Sequence, residues 1–402
     1  MIGTVARKEF REIVRDGRFK WTALIVALLL ITAIATGWQR YQGFMEMRLA
    51  AQSQTNAQWL KQGDKNPHSA AHYGNYAFKP AGSLSFFDNG VENYTGTAVF
   101  MEAHKQNFAF ARPASDRSAI ARFGDLTGAT ILQVLMPRFI IFLGFTAFSG
   151  ERETGTLRQL MSMGVSRSDL LWGKAAGISI AVGIIIIPCL IAGALILSLV
   201  SLGTSGDGFG ARVFWLAVSY LGYAAIFLFL TLAVSAMTRN ARTALIILVG
   251  FWAFSVFLAP KAVAELSKAA YPTPSLGEFQ AKMRAHQARG FDGVSPWVRL
   301  EKYKQELFKK YNVNSIPELP VYWPATRMQV LEELDHNVFD LHYGNLRSAY
   351  LDQRHFQDSF GIVAPMLSLS SVSHGPSGTD FSTHIKFMGD AEIYRRDMVA
   401  KM

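Results

Sequence analysis

Histidines spaced four residues apart are the first candidates for chemistry in this 402-residue chain. Asn66 and the proline after it are typical of a helix start. His68 and His72 would then lie on one helix face, at a spacing that suits metal ligands. His104, or Glu102 nearby, would complete the set. We therefore predict a zinc or copper site at His68, His72 and His104, with structural hydrogen bonds as the alternative.

A phosphate-binding loop is the second candidate, and the sequence excludes it. Gly173 and Lys174 resemble the end of such a loop, but Ser168 stands where its first glycine is required and Ala175 replaces the Ser or Thr. The single cysteine also excludes a multi-cysteine metal site. No Ser/His/Asp arrangement stands out from chance. We therefore predict that the chain is not an enzyme and does not bind ATP itself.

Arg138 is a charge inside a hydrophobic stretch. A charge at the centre of a membrane costs about 2.5–3.5 kcal/mol, and none of the hydrophobic stretches contains an Asp or Glu to pair with it. We predict that Arg138 faces a cavity and contacts an anionic group of substrate or lipid. The alternative is a helix break at Pro137, which would let Arg138 reach the membrane surface, a backbone carbonyl or a partner subunit.

Membrane helices are the elements that must position these residues. Hydrophobic residues make up 50% of the chain and charged residues only 17%, below the roughly 25% of soluble domains. This composition favours a membrane, and no nucleic acid, as the reason for the net charge of +10. Five stretches reach the roughly 17–25 residues that a spanning helix needs. They are 21–38, 129–149, 176–201, 212–237 and 243–259.

The distribution of Lys and Arg predicts which ends of these helices face the cytoplasm. Three short segments hold 12 Lys and Arg in 51 residues, whereas the other three hold 26 in 243. The denser segments, and therefore the cytoplasmic ones, are 1–20, 150–175 and 238–242. Segments 39–128 and 260–402 would form one mainly helical outer domain. We predict an all-α polytopic membrane protein with five spans, although the first span has a signal peptide as its alternative.

The N-terminal segment 2–18 has the pattern of an amphipathic helix at a membrane surface. Its apolar side chains fall on one half of the helix and its basic side chains on the other. We predict that this helix lies on the membrane, where it anchors the chain to anionic lipid or also touches a cytoplasmic partner. Farther along the chain, Gly173 and Gly177 are four residues apart, a spacing that permits close helix packing.

The cytoplasmic segment 150–175 carries a family resemblance. Its motifs are Glu151-Arg152-Glu153-x-Gly155-Thr156-Leu157, Gly164-Val165-Ser166-Arg167 and Gly173-Lys174. Together they resemble the cytoplasmic loop of ABC-2 type transporter permeases. The N-terminal helix resembles the interfacial elbow helix of the same family. The residues that carry this second likeness are Arg7, Lys8, Glu9, Phe10 and Arg11.

The resemblance implies an ATPase-coupling role for the loop, because in this family it forms a helix that docks on the ATPase subunit. The implied coupling residues are Glu151, Arg152, Glu153, Gly155, Thr156, Leu157 and Arg158. The three charged residues at its start would form ion pairs with the ATPase or, alternatively, anchor the loop. ATP and Mg²⁺ would bind the separate ATPase. Two permeases, identical or paralogous, would pair with two ATPases in the inner membrane of a bacterium.

A further resemblance lies in the first outer segment. Its motifs are Asn66-Pro67-His68-x3-His72-Tyr73-Gly74 and Glu102-Ala103-His104. They resemble a permease subfamily with a large extracytoplasmic insert after the first span. That subfamily implies a sixth span after the second outer segment, which would begin where this sequence reaches Met402.

Three functions compete at this point. The first is a permease that uses ATP hydrolysis on its partner for substrate export or for conformational work on an extracytoplasmic accessory protein. The second is a membrane-anchored receptor whose outer domain binds a ligand or metal without ATPase coupling. The third is a membrane enzyme with an outer histidine metal site. Copurification of an ATPase would separate the first from the other two.

Overall fold

The computed structural model describes residues 1–116, 125–201 and 208–401. Within them the chain is almost entirely helical, with one short antiparallel hairpin. In chain order the elements are α1 (Ile2–Arg15), α2 (Gly17–Leu60), α3 (Pro67–Tyr73), β1 (Asn75–Phe78), α4 (Glu92–Thr95), β2 (Ala98–Met101), α5 (Gly128–Gly144), α6 (Ser149–Glu153), α7 (Thr156–Ser162), α8 (Arg167–Ser201), α9 (Phe209–Met237), α10 (Ala241–Ala253), α11 (Ala259–Ala270), α12 (Leu276–Arg289), α13 (Pro296–Tyr311), α14 (Trp323–Ser359), α15 (Pro365–Ser377) and α16 (Phe381–Lys401).

Among the described residues, five helical segments are long and apolar enough to cross a membrane, which confirms the predicted fold class. They are Phe19–Leu60, Gly128–Glu153, Arg167–Pro188, Phe209–Met237 and Ala241–Ala270. A turn of π-helix at Phe254–Leu258 joins α10 to α11 within the last of them. Met402, where the implied sixth span would begin, lies outside the described residues, as do 117–124 and 202–207.

Helical segments extend beyond the predicted spans, and α2 and α8 illustrate this. The first span was predicted over 21–38, but α2 continues to Leu60. Its 44 residues make it about 66 Å long at roughly 1.5 Å per residue, about twice the membrane core. The apolar stretch ends near residue 38, whereas the helix continues through good helix formers. Likewise α8 begins at Arg167, where the Ser166 hydroxyl accepts the Asp169 N–H at 3.0 Å and caps the helix.

The bundle is organised around α5, because the candidate span that contains α5 is the most buried of the five. This helix contacts α2, α8, α9 and α10. Its side chains Phe139 and Ile141 lie in one core with Ile178 of α8 and Phe227 of α9. The helix runs without interruption through Pro137, so the helix break considered for that proline does not occur.

The bundle has two ends, which we name by what they carry. The loop end carries α1, α6, α7 and the start of α8. The domain end carries the β1–β2 hairpin and the helices α11 to α16, which pack around the long helix α14. In the hairpin, Asn75 pairs with Met101 and Phe78 pairs with Ala98. This mainly helical domain is built from both large inserts, as the sequence predicted.

One domain helix packs directly on the bundle. Leu369 of α15 is buried in the bundle core, and α15 contacts both α9 and α5. The link is also polar, because the Tyr220 hydroxyl lies 3.1 Å from the Ser373 hydroxyl of α15. Ser373 in turn donates to the buried carboxylate of Asp88. A displacement of α9 would therefore be transmitted to the domain through α15.

Candidate functional site

At the loop end, α1 lies in direct contact with α8. Two glycines make this approach possible. A Cβ at Gly177 would be 2.7 Å from the Cβ of Glu9 and 2.9 Å from the carbonyl oxygen of Ala6. At Gly173 it would be 2.5 Å from the Cβ of Val5. The predicted small-residue packing face of α8 therefore receives α1.

Four charged side chains meet where these helices cross, and we call Lys8, Glu9, Glu151 and Lys174 the loop-end cluster. The Lys174 ammonium lies 2.9 Å from a carboxylate oxygen of Glu9 and 2.9 Å from one of Glu151. Lys8 contacts the same Glu151 oxygen at 2.8 Å. Lys174 is 1% exposed and Glu9 is 6% exposed, so both pairs to Lys174 are shielded from water. The lysine that resembled a phosphate-loop residue is therefore a structural cation.

Burial and charge act in opposite directions within this cluster. Burial raises the pKa of Glu9, and the charge of Lys174 opposes that shift. For Lys8, burial would lower the pKa, but the hydrogen bond to Glu151 and the charge of that carboxylate raise it above its ordinary value. The two carboxylates and the two ammonium groups balance in formal charge. Removal of one cation would leave a buried negative charge.

The next two residues of the loop contact two further helices. Arg152 donates to the carbonyl oxygen of Ala236 at 2.6 Å and to that of Thr238, at the C-terminal end of α9. Glu153 accepts the Ala241 N–H at 3.1 Å, at the first residue of α10. The start of α6 is also attached to α9, because the Ser235 hydroxyl accepts the N–H groups of Ser149 and of Phe148, the residue before the helix.

Glu151, Arg152 and Glu153 therefore make contacts inside this chain. The sequence offered two roles for them, ion pairs with a partner or anchoring of the loop. Their contacts with α1 and α8, with α9 and with α10 correspond to the anchoring role. One helical turn, α6, thereby holds four helices at once.

The next helix, α7, packs one face against the bundle and leaves the other exposed. Gly155 has a φ of +79°, a left-handed conformation that glycine adopts at little cost, and it lets the chain turn from α6 into α7. Leu157 packs against the bundle core with Leu160. On the other side, Arg158 is exposed and Met161 is 37% exposed. The Thr156 hydroxyl donates to the backbone oxygen of Glu151 at 3.2 Å.

The remaining predicted residues of the N-terminal helix divide between two faces. Arg7 and Arg11 are exposed, as expected for a basic surface. Phe10 packs against the bundle core. Lys8 and Glu9, which lie between Arg7 and Phe10 in the sequence, instead belong to the loop-end cluster.

Arg138 lies on the outer surface of the bundle. It is exposed, although its neighbours Pro137 and Phe139 are buried. Its guanidinium lies 5.4 Å from the ring centres of both Phe142 and Trp252, within the range of cation–π attraction. The position is therefore outward-facing, which differs from the expected interior cavity.

At the domain end, the structure brings His68, His72 and His104 together. The Asn66 side chain accepts the Ser69 N–H at 2.8 Å, which confirms the predicted helix cap. The Nε2 atoms of His68 and His72 lie 3.2 Å apart. One nitrogen from each of the three histidines falls within 4.8 Å of the others.

Glu102, the alternative third ligand, lies outside this group of histidines. Its carboxylate instead lies 3.2 Å from the Asn107 amide nitrogen and 3.5 Å from the ammonium of Lys105. His72 has a pKa below its ordinary value, because of burial first and the neighbouring His68 and His104 second.

A buried carboxylate that the sequence did not predict supports His104. Glu332 of α14 contacts Nδ1 of His104 and accepts its backbone N–H at 3.3 Å. The same carboxylate lies 3.2 Å from His336 and 3.2 Å from the guanidinium of Arg395. Burial would raise the pKa of Glu332, but the hydrogen bonds from His336, His104 and Arg395 lower it to about 2. Glu332 is therefore ionised and accepts hydrogen bonds only.

Comparison with known families identifies two matching regions. Residues 3–312 match the model of the family described as ABC-2 family transporter protein. Residues 278–401 match a domain of unknown function, DUF3526. No curated protein matches the chain. Because the first match covers well over half of the chain and five of its helical segments are apolar enough to cross a membrane, the protein belongs to the ABC-2 transporter family as a multi-pass membrane permease.

Proposed function

We propose that this chain is the membrane-spanning subunit of an ABC transporter that couples ATP hydrolysis on a separate ATPase to movement of its own helices. One observation carries the proposal. The exposed helix α7 follows directly after α6, and α6 is attached to α1, α8, α9 and α10 by three successive charged side chains. A push on α7 would therefore reach most of the bundle as a rigid-body displacement.

The outer face of α7 and the turn after it is the proposed docking surface. It presents Arg158, Met161 and Met163, and Met163 is 75% exposed. Methionine side chains are flexible and polarizable, so they adapt to the surface of a partner. The opposite face is fixed by Leu157 and Leu160 in the bundle core. This packing fixes the position of the docking surface relative to the bundle, as the transmission of a force requires.

The route from the docking surface to the N-terminal helix is electrostatic. Glu151 at the start of α6 contacts Lys174 of α8 and Lys8 of α1. Lys174 also contacts Glu9, so the two helices and the loop share one set of charges. Since the two pairs with Lys174 are shielded, displacement of α6 without α8 would separate opposite charges in a medium of low dielectric constant.

The family also guides the remaining assignments, which are part of the proposal. The loop end would face the cytoplasm of a bacterium and the domain end would lie outside the inner membrane. A second permease, identical or paralogous, would complete the transporter. The work done would be export of a substrate or a conformational change in an extracytoplasmic accessory protein. The receptor and enzyme alternatives gain no support from the family match.

Copurification tests the docking surface. The full chain, carrying a short affinity tag, is purified in mild detergent, and mass spectrometry asks whether a protein with a phosphate-binding loop and the ABC ATPase fold accompanies it. Met163→Glu should reduce recovery of that ATPase at least tenfold. Met47→Glu is the matched control, because Met47 is 67% exposed but lies on the far part of α2. The proposal fails if no such ATPase copurifies, or if both variants recover it equally.

A second variant separates docking from transmission. Arg152 contacts α9 and lies outside the proposed docking surface, so Arg152→Gln should retain the ATPase. We expect the variant complex to lose at least half of the difference in ATP hydrolysis between the bound and the free ATPase. If Arg152→Gln instead releases the ATPase as Met163→Glu does, the two steps are not distinct and the transmission route is wrong.

A further inference from the structure

We propose that His68, His72 and His104 form a three-histidine site for a zinc or copper ion at the domain end of the protein. The site lies far along the chain from the loop-end cluster and does not depend on the ATPase proposal. Helix α3 supplies two of the histidines, and the turn after β2 supplies the third. His68 and His72 are exposed, so an ion would reach the site directly from solvent.

The distances are close to those of a loaded site. Zinc–nitrogen bonds of about 2.0–2.1 Å at tetrahedral angles place neighbouring nitrogens about 3.3 Å apart. The Nε2 atoms of His68 and His72 lie 3.2 Å apart. His104 offers a nitrogen within 4.8 Å of both. Binding of an ion would have to close the remaining gap, and His68 and His72 are exposed.

The backbone around His104 is fixed towards α3. The N–H of Ala103 donates to the Ala71 carbonyl oxygen of α3 at 3.2 Å. His104 itself has a φ of +64°, a left-handed conformation that few residues other than glycine adopt. Its N–H donates to Glu332, which holds this uncommon conformation in place. Backbone strain of this kind is often found at binding sites.

Glu332 provides the supporting contact that metal-binding histidines usually have. Nδ1 of His104 contacts a carboxylate oxygen of Glu332. That contact occupies Nδ1 and leaves Nε2 as the ring nitrogen that would bind a metal ion. A carboxylate on the far nitrogen orients the ring and increases its basicity. Arg395, which is 1% exposed, balances the charge of Glu332 from behind.

The type and number of the ligands favour zinc or copper. Imidazole nitrogen suits both ions, and three histidines leave a fourth coordination position for water or another ligand. The contact between His104 and Glu332 also connects two parts of the chain. The three histidines lie in the region that matches the ABC-2 family, whereas Glu332 and Arg395 lie in the region that matches DUF3526.

A hydrogen bond between the two imidazoles is the competing explanation for the 3.2 Å separation of His68 and His72. The chain offers a direct comparison, because Nε2 of His342 lies 3.0 Å from Nδ1 of His286 in the same domain. That pair lacks a third histidine within the described residues. If a close pair of histidines were sufficient to bind a metal ion, the pair His286 and His342 would bind one as the pair His68 and His72 does.

Metal binding to the full-length protein tests the proposal. The protein is purified through a tag without histidines, stripped with a chelator and titrated with Zn²⁺, Cu²⁺ and Co²⁺. We expect one ion per chain and the visible absorption of tetrahedral Co²⁺. His72→Ala and His68→Ala should each abolish this stoichiometric binding, whereas His342→Ala should leave it unchanged. Circular dichroism and size-exclusion elution confirm that each variant is folded.

The supporting carboxylate has its own test. Glu332→Gln keeps the shape of the side chain but removes the charge, and it should weaken metal affinity by about 10–100-fold. The wild-type titration decides the matter even if this variant fails to fold. The site is refuted if wild-type protein binds no stoichiometric ion, if folded His72→Ala and His68→Ala bind as well as wild type, or if His342→Ala abolishes binding. None of these outcomes depends on whether an ATPase copurifies.

Discussion

Lys174 of α8 and Glu9 of α1 form a buried ion pair, with the ammonium nitrogen 2.9 Å from the carboxylate oxygen. The two residues are 165 positions apart in sequence. The same ammonium contacts Glu151 of α6 at 2.9 Å. One side chain therefore joins the N-terminal helix, a membrane helix and the helical turn that precedes the proposed docking surface.

The first prediction concerns the loss of this cation. Lys174→Met would leave Glu9 buried without its partner, and such losses destabilise proteins by about 3–5 kcal/mol. We expect the midpoint of thermal unfolding in detergent to be markedly lower, as measured by intrinsic tryptophan fluorescence. The double variant Glu9→Gln with Lys174→Met should be the more stable of the two, because only Glu151 then needs a cation and Lys8 supplies it. Equal midpoints for the single and double variants would show that the pair contributes little.

The second prediction concerns the contact between α1 and α8. Gly177→Ala places a methyl group 2.9 Å from the backbone oxygen of Ala6, closer than such atoms approach, so α1 should move away from α8. Trypsin should then cleave within α1 several times faster, as measured by mass spectrometry of the N-terminal fragments. Gly250→Ala is the matched control, because a Cβ there meets nothing within 4 Å. Equal cleavage in both variants would contradict this packing.

Much of the architecture could be predicted because short stretches of neighbouring residues determine where the helices form. Runs of apolar residues mark the five candidate spans, and Asn66 marks the start of α3 as its cap. Both features depend on residues within one helix. The ends of the helices α2 and α8 could not be predicted in this way, because apolar runs indicate the extent of a membrane span, whereas a helix continues wherever its backbone hydrogen bonds do.

The supporting residues could not be predicted, because they come from distant parts of the chain. Glu332 lies 228 positions from His104, and nothing in its neighbourhood distinguishes it from the other carboxylates of α14. The charged motif of the loop shows the same limit in another way. Its residue types predicted a functional loop, but only the fold shows that Arg152 reaches α9 and that Glu153 reaches α10.

The third prediction concerns Arg138, which faces outward from α5 between two aromatic rings. An outward charge within a span favours a polar group outside the chain, and a second permease would supply one. Arg138→Leu should therefore lower the dimeric fraction at least threefold in native mass spectrometry, whereas Arg138→Lys should retain most of it. If Arg138→Leu leaves the dimer intact, the residue is not at the permease interface, and lipid headgroups are the remaining counterpart.

The last prediction is a pH dependence located in α16. Burial first, and then the positive charges of Lys79 and Arg112, lower the pKa of His384 to about 4. The unfolded chain binds this proton near pH 6.5, so between pH 6.5 and 4 the unfolded state holds more protons than the folded state. Stability should therefore fall as the pH falls through this window, by up to about 1.4 kcal/mol per pH unit from this group.

Replacement of the ring tests that dependence directly. His384→Phe keeps an aromatic ring next to Phe381 and Phe387 but has no group that titrates. Hydrogen exchange of the α16 amides, compared between pH 6.5 and 4 after correction for the intrinsic rate, should show a smaller loss of protection in the variant than in wild type. His355→Phe is the control, because His355 is exposed on α14. If wild type and His384→Phe lose protection in parallel, His384 is not the group that makes α16 sensitive to acid.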